Sequence, residues 1–445
     1  MPVPRRRQRP DQRRLSSVGC RVPRLFSTKG TMVYSPQACV GGFWLDDSDK
    51  MVDWLAQGTE EVVSREALAL KLYQSKKDQR PLTVKLGVDP TAPDIHLGHT
   101  VVLEKLRQFQ ELGHHVVFLI GDMTARIGDP SERAAARTAL AAKEVAAFAA
   151  TYVEQAGKIL NRDRLFLRYN SEWLGTLSFE ATLDLLSKMT LARMLERDEF
   201  GQRFKQHVPI HLHELIYPLM QGYDSVALGA DVELGGTDQR FNIMTARHVQ
   251  EAYGQPPEVG IFLPILEGTD GVRRMGKSLG NYIGVNEPPD EMYGKVMSIP
   301  DGLIVRWSTL LLGRRADALT TRLEAGENPR VLKAELAYGL VERFWSAEAA
   351  AQAGERFDRL FREHEVPSDA PMLDWLLPWR GTALDLVADL PGMPSRSEAK
   401  RLLQQRGVTL NGTRLDLGQE VEVPASGGWI KVGKRRYYRF SGRHR

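Results

Sequence analysis

The sequence predicts an α/β fold in three parts: a parallel sheet with helical crossovers, then a helical region, then a small basic α+β module. Three observations carry that expectation. A strand, helix, strand pattern runs from Leu82 to Asp122. A second strand with a double glycine, DVELGGTDQ at Asp231 to Gln239, supplies the other half of a doubly wound sheet. Helical spacing then dominates to about residue 365, before short strands return.

Taken in order, residues 1–31 carry Arg5, Arg6, Arg7, Arg9, Arg13, Arg14, Arg21, Arg24 and Lys29 against the single acid Asp11, without hydrophobic periodicity. Such a segment cannot bury enough apolar surface to fold alone, so residues 1–49 are expected to be a disordered basic leader. It is read as lying upstream of a start at Met32 in a cytoplasmic protein; the alternative is an organellar transit peptide. Residues 51–78 read as a helical lead-in. LTVKLGVD (Leu82 to Asp89) is a buried strand ending in the turn residues Pro90 and Thr91. The stretch from His99 to His114 has Val102, Leu106 and Phe109 at helical spacing, with Gly113 as a stop, and VVFLIGD (Val116 to Asp122) is the next strand. Parallel neighbours joined this way place a ligand at the carboxyl edge of the sheet.

Ala134 to Leu160 is alanine-rich helix, and residues 170–228 hold several amphipathic helices. NEPPDEMYGKVMSIP opens the helical region, and the proline-bearing stretch Val366 to Pro371 marks its end. A basic amphipathic helix, Ser397 to Gln405, precedes an Asn411–Gly412 hairpin turn and the last strands. The expected boundaries are therefore 50–285, 286–370 and 371–445.

Composition narrows the function classes. Among 445 residues the two cysteines, Cys20 and Cys39, precede every recognisable domain and lack paired or metal-ligand spacing, which argues against a disulfide scaffold or a metal site. No apolar run approaches the length of a membrane span, and no repeat is evident. The net charge is only +4, but residues 390–445 concentrate Lys400, Arg401, Lys431, Lys434, Arg435, Arg436 and Arg439 against Glu398, Asp416, Glu420 and Glu422. That distribution fits a nucleic acid partner.

Two short strings carry the chemistry. HLGH (His96 to His99) places two imidazoles at the start of a helix, where orphan N–H groups favour negative charge, and Gly98 lets a nucleoside approach the backbone. RMGKS (Arg274 to Ser278) is a cationic, glycine-hinged loop that can close on a polyphosphate. Either string alone is a weak signal; together they point to nucleotide activation. In IYPLMQGYD, Tyr217, Gln221 and Asp224 share one helical face.

The ordered set KLGVDPTAPDIHLGH, IGDPS, YPLMQGYDSVAL, ELGGTDQ and RMGKS, followed by helices and a small basic module, resembles the bacterial-type tyrosyl-tRNA synthetases, a class I aminoacyl-tRNA synthetase family, over about residues 50–445. The resemblance implies a Rossmann-like catalytic domain with a helical insertion, a helical anticodon-recognition domain and a C-terminal RNA-binding module. It implies that Thr91, His96 and His99 hold the ATP phosphates and that Arg274, Lys277 and Ser278 grip the pyrophosphate side. Gly98, Gly236 and Asp238 would face adenosine, with Lys277 also in ATP binding. Asp89, Asp129, Tyr217, Gln221 and Gln239 would surround the amino acid, and Asp224 would accept the phenol hydroxyl. Lys400, Arg401, Lys434, Arg435 and Arg436 would meet RNA. The implied partners are tyrosine, ATP arriving with Mg²⁺, tRNA(Tyr) and a second copy of the chain, with no tightly bound cofactor, no metal site and no membrane.

The chain departs from the family pattern at a few places. Lys85 stands where many members have a tyrosine facing the phenol, Ala125 and Glu132 replace glycines, Arg274 replaces lysine and Gly276 replaces serine in the closing loop. Two other readings share some of the motifs: a tryptophanyl enzyme, and a paralogue that binds RNA without catalysis.

Overall fold

The computed structural model describes residues 45–90, 94–130, 142–361, 370–433 and 436–443. Thr91, Glu132, Lys434, Arg435 and residues 1–44 of the expected leader lie outside the described residues. Helix α1 (Leu45–Ala56) begins inside the stretch 1–49 expected to be a leader. It is followed by β1 (Glu61–Val63) and α2 (Arg65–Lys77), so the expected helical lead-in contains a strand. With three residues, β1 is too short to show a periodicity of its own.

The strand, helix, strand unit is β2 (Thr83–Val88), α3 (Leu97–Glu111) and β3 (His115–Ile120). Then come α4 (Ala142–Ala156), β4 (Leu165–Tyr169) and an insertion of helices α5 (Ser171–Leu174), α6 (Phe179–Ser187), α7 (Leu191–Met194), α8 (Asp198–Lys205) and α9 (Leu212–Leu228). The second half of the sheet follows as β5 (Val232–Gly236), a 3-10 turn at Thr237–Gln239, α10 (Arg240–Ala252) and β6 (Val259–Leu263). The strand order is β1-β6-β5-β2-β3-β4. All neighbours are parallel except β1 on β6, where Glu61 opposes Phe262. The sheet is thus mixed at one edge. The chain leaves β2 toward β3 on one side and returns to β5 on the other, so the crevice between β2 and β5 is the topological switch point.

Burial explains the strands. All of β6 and nearly all of β3 and β5 are buried, as expected of central strands covered on both faces. Helix α9 closes on α10 through Gly222, where a Cβ would come within 2.9 Å of Val249 Cγ2. It ends at Gly229 in the left-handed region (φ 57°, ψ 47°), which satisfies its last carbonyls.

Helices α11 (Pro289–Met297), α12 (Ile304–Leu312), α13 (Ala316–Glu324), α14 (Pro329–Phe344) and α15 (Ala347–Phe361) follow. One continuous hydrophobic core runs from Val52 and Phe109 through Trp307 and Leu340 to Ala353, so packing does not break at residue 285. Arg343 on α14 reinforces that contact by pairing with Glu104 on α3.

The C-terminal module consists of β7 (Met372–Leu376), β8 (Trp379–Thr382), α16 (Ala383–Ala388), α17 (Arg396–Gln404), β9 (Val408–Leu410), β10 (Thr413–Arg414), β11 (Glu420–Val423), β12 (Gly428–Val432) and β13 (Arg436–Arg443). Asn411 and Gly412 both have positive φ, 47° and 84°, and make the expected hairpin turn between β9 and β10. This module has its own core, which includes Leu386, Leu403, Val408 and Ile430.

Candidate active site

His96 is the N-cap of α3, and it caps in an unusual way. Its Nδ1 accepts the Gly98 N–H at 3.2 Å, while the His96 N–H donates to His99 Nδ1 at 3.2 Å, so two imidazoles form a reciprocal capping box. Because each Nδ1 is an acceptor, the ring proton belongs on Nε2, which leaves an N–H donor on each ring. Burial, helped by the nearby charges of His99, Lys277 and Arg274, holds His96 well below the ordinary histidine range. Burial and Lys277 bring His99 down to about 3 against a favourable backbone contact. Both rings are therefore neutral donors. A Cβ on Gly98 would sit 3.0 Å from His96 Cε1 and 3.7 Å from Met275 Cβ, so glycine keeps the cap and the loop close together.

Backbone bonds bring the second motif to the first. Leu97 N–H donates to the Ile283 carbonyl at 2.9 Å and Val285 N–H to that of Ile95 at 3.0 Å, which clasps the entry of α3 to the segment after the loop. The loop itself rides on a short antiparallel turn closed by Met275 N–H to Leu266 and Gly268 N–H to Arg273, both 2.8 Å. Asn281 is the buried hub: Oδ1 accepts from Gly276 N–H at 2.9 Å, while Nδ2 reaches Asp270 Oδ2 at 2.9 Å and the Arg274 carbonyl at 3.0 Å. Gly276 is extended, and an added Cβ would meet only ordinary contacts, so neither conformation nor space demands glycine there. Arg274 Nη1 lies 3.3 Å from Asp238 Oδ2, and Lys277 Nζ lies 2.9 Å from the Tyr152 hydroxyl.

Deeper in, the polar groups hold one another. Asp89 Oδ1 accepts from the Thr124 hydroxyl at 2.7 Å and Oδ2 from the Tyr217 hydroxyl at 3.0 Å. Asp129 is buried among Gln239 Nε2 at 2.7 Å, Arg197 Nη2 at 3.1 Å and Asn242 Nδ2 at 3.2 Å. Asp224 accepts from Trp173 Nε1 at 2.7 Å and Asn170 Nδ2 at 3.3 Å, and burial pushes its carboxyl up to about 7. Gln221 Nε2 donates to Glu233 Oε1 at 3.1 Å.

Every described residue expected to meet ATP or the amino acid lines one cavity of about 620 Å³ at the carboxyl edge of the sheet: Asp89, His96, Gly98, His99, Asp129, Tyr217, Gln221, Asp224, Gly236, Asp238, Gln239, Arg274, Lys277 and Ser278. Ala125 lines it too. Sequence reasoning missed Thr124, Tyr152, Asn170, Trp173, Arg197, Glu233 and Asn242, which position those side chains from distant segments. Gly121, inside the VVFLIGD string, is also required, because a Cβ there would fall 2.1 Å from Asp89 Oδ1. Among the described residues no grouping of three or more His, Cys, Asp or Glu is placed to hold a metal, and no helix is long and apolar enough to cross a membrane.

Lys400, Arg401 and Arg436 belong to the C-terminal module and line no part of this cavity. Lys400 and Arg401 are exposed on α17, but Arg401 is ion-paired with Glu398 at 2.7 Å, which tempers its charge.

The family described as tRNA synthetases class I (W and Y) matches residues 76–362. The tyrosine-tRNA ligase of Carboxydothermus hydrogenoformans is 47% identical over 406 residues, covering 88% of this chain and 98% of its own. That of Thermotoga maritima is 46% identical over 402 residues, with the same two coverages, 88% and 98%. Among solved structures, the tyrosyl-tRNA synthetase of Archaeoglobus fulgidus complexed with L-tyrosine superposes with a TM-score of 0.56 at 27% identity, covering 70% of this chain and 99% of that one. A C-terminally truncated mitochondrial tyrosyl-tRNA synthetase of Aspergillus nidulans, at 23% identity and TM-score 0.56, shares the fold.

The neutral imidazoles carry a stability signature. His114, whose Nδ1 accepts the Leu82 N–H at 3.3 Å, is held by burial down to about 4, so the folded chain leaves it neutral where the unfolded chain would protonate it. The unfolded state then binds more protons below about pH 6.5, and the His114 contribution is lost as pH falls toward 4. Asp224 and Glu258, both raised by burial, act in the opposite sense, so the readout is a difference between two proteins. Thermal midpoints measured between about pH 7 and 5 should fall more steeply for the wild-type chain than for His114→Asn. Parallel curves would contradict a neutral buried His114.

Proposed function

The chain belongs to the class I tRNA synthetase family of tryptophan and tyrosine enzymes, and from that premise we propose that it is a tyrosine-tRNA ligase. The observation that carries this reading is the convergence of HLGH, GGTDQ, RMGKS and the inward face of α9 on one cavity. The tyrosine carboxylate attacks the α-phosphate of ATP, giving tyrosyl-adenylate and pyrophosphate; the terminal ribose of tRNA(Tyr) then takes the tyrosyl group. Catalysis is positioning and electrostatics, without a covalent enzyme intermediate. ATP brings its Mg²⁺ as part of the substrate.

The Nε2–H groups of His96 and His99, together with Thr91, hold the phosphates as charge builds on the five-coordinate phosphorus. Neutral donors suit that task, since they stabilise developing charge without having to lose or gain a proton. Arg274, Lys277 and Ser278 grip the leaving pyrophosphate. Lys277 must leave Tyr152, and Arg274 must leave Asp238, before they can do so, which frees Asp238 to accept from a ribose hydroxyl while Gly98 and Gly236 let adenosine approach. Asp89, Asp129, Tyr217 and Gln221 receive the amino acid's ammonium end, Gln239 reaches its carboxylate, and Asp224 accepts the phenol hydroxyl. A site built to pair that hydroxyl rejects phenylalanine, because the buried acceptor would be left unmatched.

The surface supports two further assignments. Phe179, Leu183, Leu191, Phe204 and Leu212 stand exposed on the insertion helices α6 to α9, an amount of apolar surface that a second copy of the chain would cover in a cytoplasmic homodimer. Helices α11 to α15 recognise the anticodon arm, and the C-terminal module, with Lys400, Arg401, Lys434, Arg435 and Arg436, binds RNA chiefly through phosphates.

Amino-acid-dependent ATP–pyrophosphate exchange on the purified chain, comparing tyrosine, tryptophan and phenylalanine, should proceed with tyrosine alone; exchange with tryptophan, or with none of them, overturns the reading. In the same assay Lys277→Ala should slow activation by about tenfold or more with little change in tyrosine affinity, as expected for a contact made in the transition state. Loss of tyrosine binding at unchanged rate would remove Lys277 from that role. Sedimentation should give a dimer for the wild-type chain and a shift toward monomer for Leu191→Asp; a wild-type monomer refutes the interface. Removing residues 371–445 should leave exchange intact and weaken tRNA charging, whereas equal loss of both would show that the module is not a separate RNA-binding part.

A further inference from the structure

Lys85 is the charged side chain most completely removed from solvent in the sheet, and the mechanism above does not use it. It lies on β2, is 0% exposed, and does not line the cavity. Its three ammonium donors all have acceptors: Glu233 Oε1 at 3.0 Å, Ser225 Oγ at 2.6 Å and the Gln221 carbonyl at 3.3 Å. Two of these acceptors belong to α9 and flank Asp224 in sequence. Lys85 therefore ties the central strand to the helix face that carries the amino acid contacts.

The charges around it do not balance as a simple pair. Lys85 faces three buried carboxyl groups: Glu233 on β5, Glu258 just before β6 and Asp224 on α9. Burial opposes its charge, yet these three together hold the ammonium above the ordinary lysine range. Glu258 is buried beside Glu233, and burial followed by that neighbouring carboxylate pushes Glu258 well above the carboxylate range. A protonated Glu258 is the consistent state, leaving Glu233 and Asp224 to share one cation. The other groups against Asp224 are neutral donors, Trp173 and Asn170, and Asn170 connects through the Thr124 hydroxyl, at 3.1 Å, to Asp89.

We propose that Lys85 is a positioning residue for the phenol end of the pocket: anchored by Glu233, Ser225 and the Gln221 carbonyl on either side of Asp224, it supplies the counter-charge to the Asp224 carboxylate that accepts the tyrosine hydroxyl. This rests on the reading that tyrosine is the substrate and Asp224 its phenol contact. In many relatives a tyrosine hydroxyl is expected at this strand position; here a cation one layer back does the work through Asp224. The direction of the Asp224 titration fits. Burial raises it to about 7, Lys85 pulls it down and Glu233 pushes it up, so the two partners have opposite effects on the same carboxylate.

That opposition makes the test. The tyrosine KM and the ATP KM are measured by pyrophosphate exchange between about pH 6 and 9 for the wild-type chain, Lys85→Met, Glu233→Gln and the double variant, with circular dichroism to establish folding. In the wild-type chain the tyrosine KM should rise as pH falls and Asp224 takes up a proton. Lys85→Met should displace that rise to higher pH by about one unit, equivalent to roughly fivefold in tyrosine KM at pH 7 and roughly tenfold at pH 6, without a matching change in ATP KM. Glu233→Gln should displace it to lower pH, and the double variant should return toward the wild-type position. A pH-independent weakening in both single variants, or displacement of both in the same direction, would mean that Lys85 only packs the fold and would overturn the proposal. If Lys85→Met does not fold, the Glu233→Gln displacement decides alone, since it is expected downward and an unmoved profile refutes the coupling. A wild-type chain with no tyrosine exchange defeats the functional reading itself; tyrosine exchange with unmoved profiles defeats only this inference.

Discussion

Two backbone hydrogen bonds, Leu97 N–H to the Ile283 carbonyl and Val285 N–H to the Ile95 carbonyl, hold the entry of α3 against the segment that follows the cationic loop. Without that clasp the imidazoles and the loop would be separate features of a long chain. With it, any substrate phosphate that meets the helix start also lies within reach of the loop. Asn281 extends the constraint into the loop by taking up Gly276 N–H and the Arg274 carbonyl, so the loop's base is fixed while Arg274, Lys277 and Ser278 stay at its tip. In the proposed mechanism a loop held at its base in this way clamps and then releases pyrophosphate.

The electrostatics follow from burial more than from pairing. The two imidazoles are kept neutral because charging either would place a cation beside Lys277 and Arg274 in a site short of water, and it would break the reciprocal cap. At the other end of the cavity burial acts on acids, raising Asp224 and Glu258. The same physical cause therefore produces uncharged donors where the proposed mechanism puts phosphate and a readily tuned acceptor where it puts the phenol.

Much of this was legible in the sequence because it is local. HLGH marks a helix start, GGTDQ a strand turning into a helix, and Tyr217, Gln221 and Asp224 a single helical face; each is a pattern within a few residues, and all reach the cavity. The supporting residues were not legible. Asn170, Trp173 and Arg197 sit in the helical insertion among ordinary amphipathic segments, and nothing near them in sequence says that they turn toward Asp224 and Asp129. Strand β1 was hidden for a different reason: three residues define no period, and its role depends wholly on β6. Lys85 lies between. Its mismatch to a buried strand is visible in LTVKLGVD, but the carboxylates that explain it come from β5 and the start of β6.

The cavity as a whole has a polarity that neither end has alone. Asp89, Asp129, Asp224 and Glu233 line it, with Asp129 paired to Arg197 and Glu233 to Lys85, while Arg274 and Lys277 stand at the loop. A free amino acid is a zwitterion, so its ammonium is drawn inward toward the carboxylates and its carboxylate outward toward the cations and donors. In the proposed mechanism ATP, carrying several negative charges, is accepted at the loop end. In the proposed mechanism this arrangement favours a pose in which carboxylate and α-phosphate face each other, so a part of the entropic cost of bringing two reactants together would be met by the fold. Asp238 is the exception: it stands at the cationic end paired with Arg274, and in the proposed mechanism it is the acceptor for a ribose hydroxyl there.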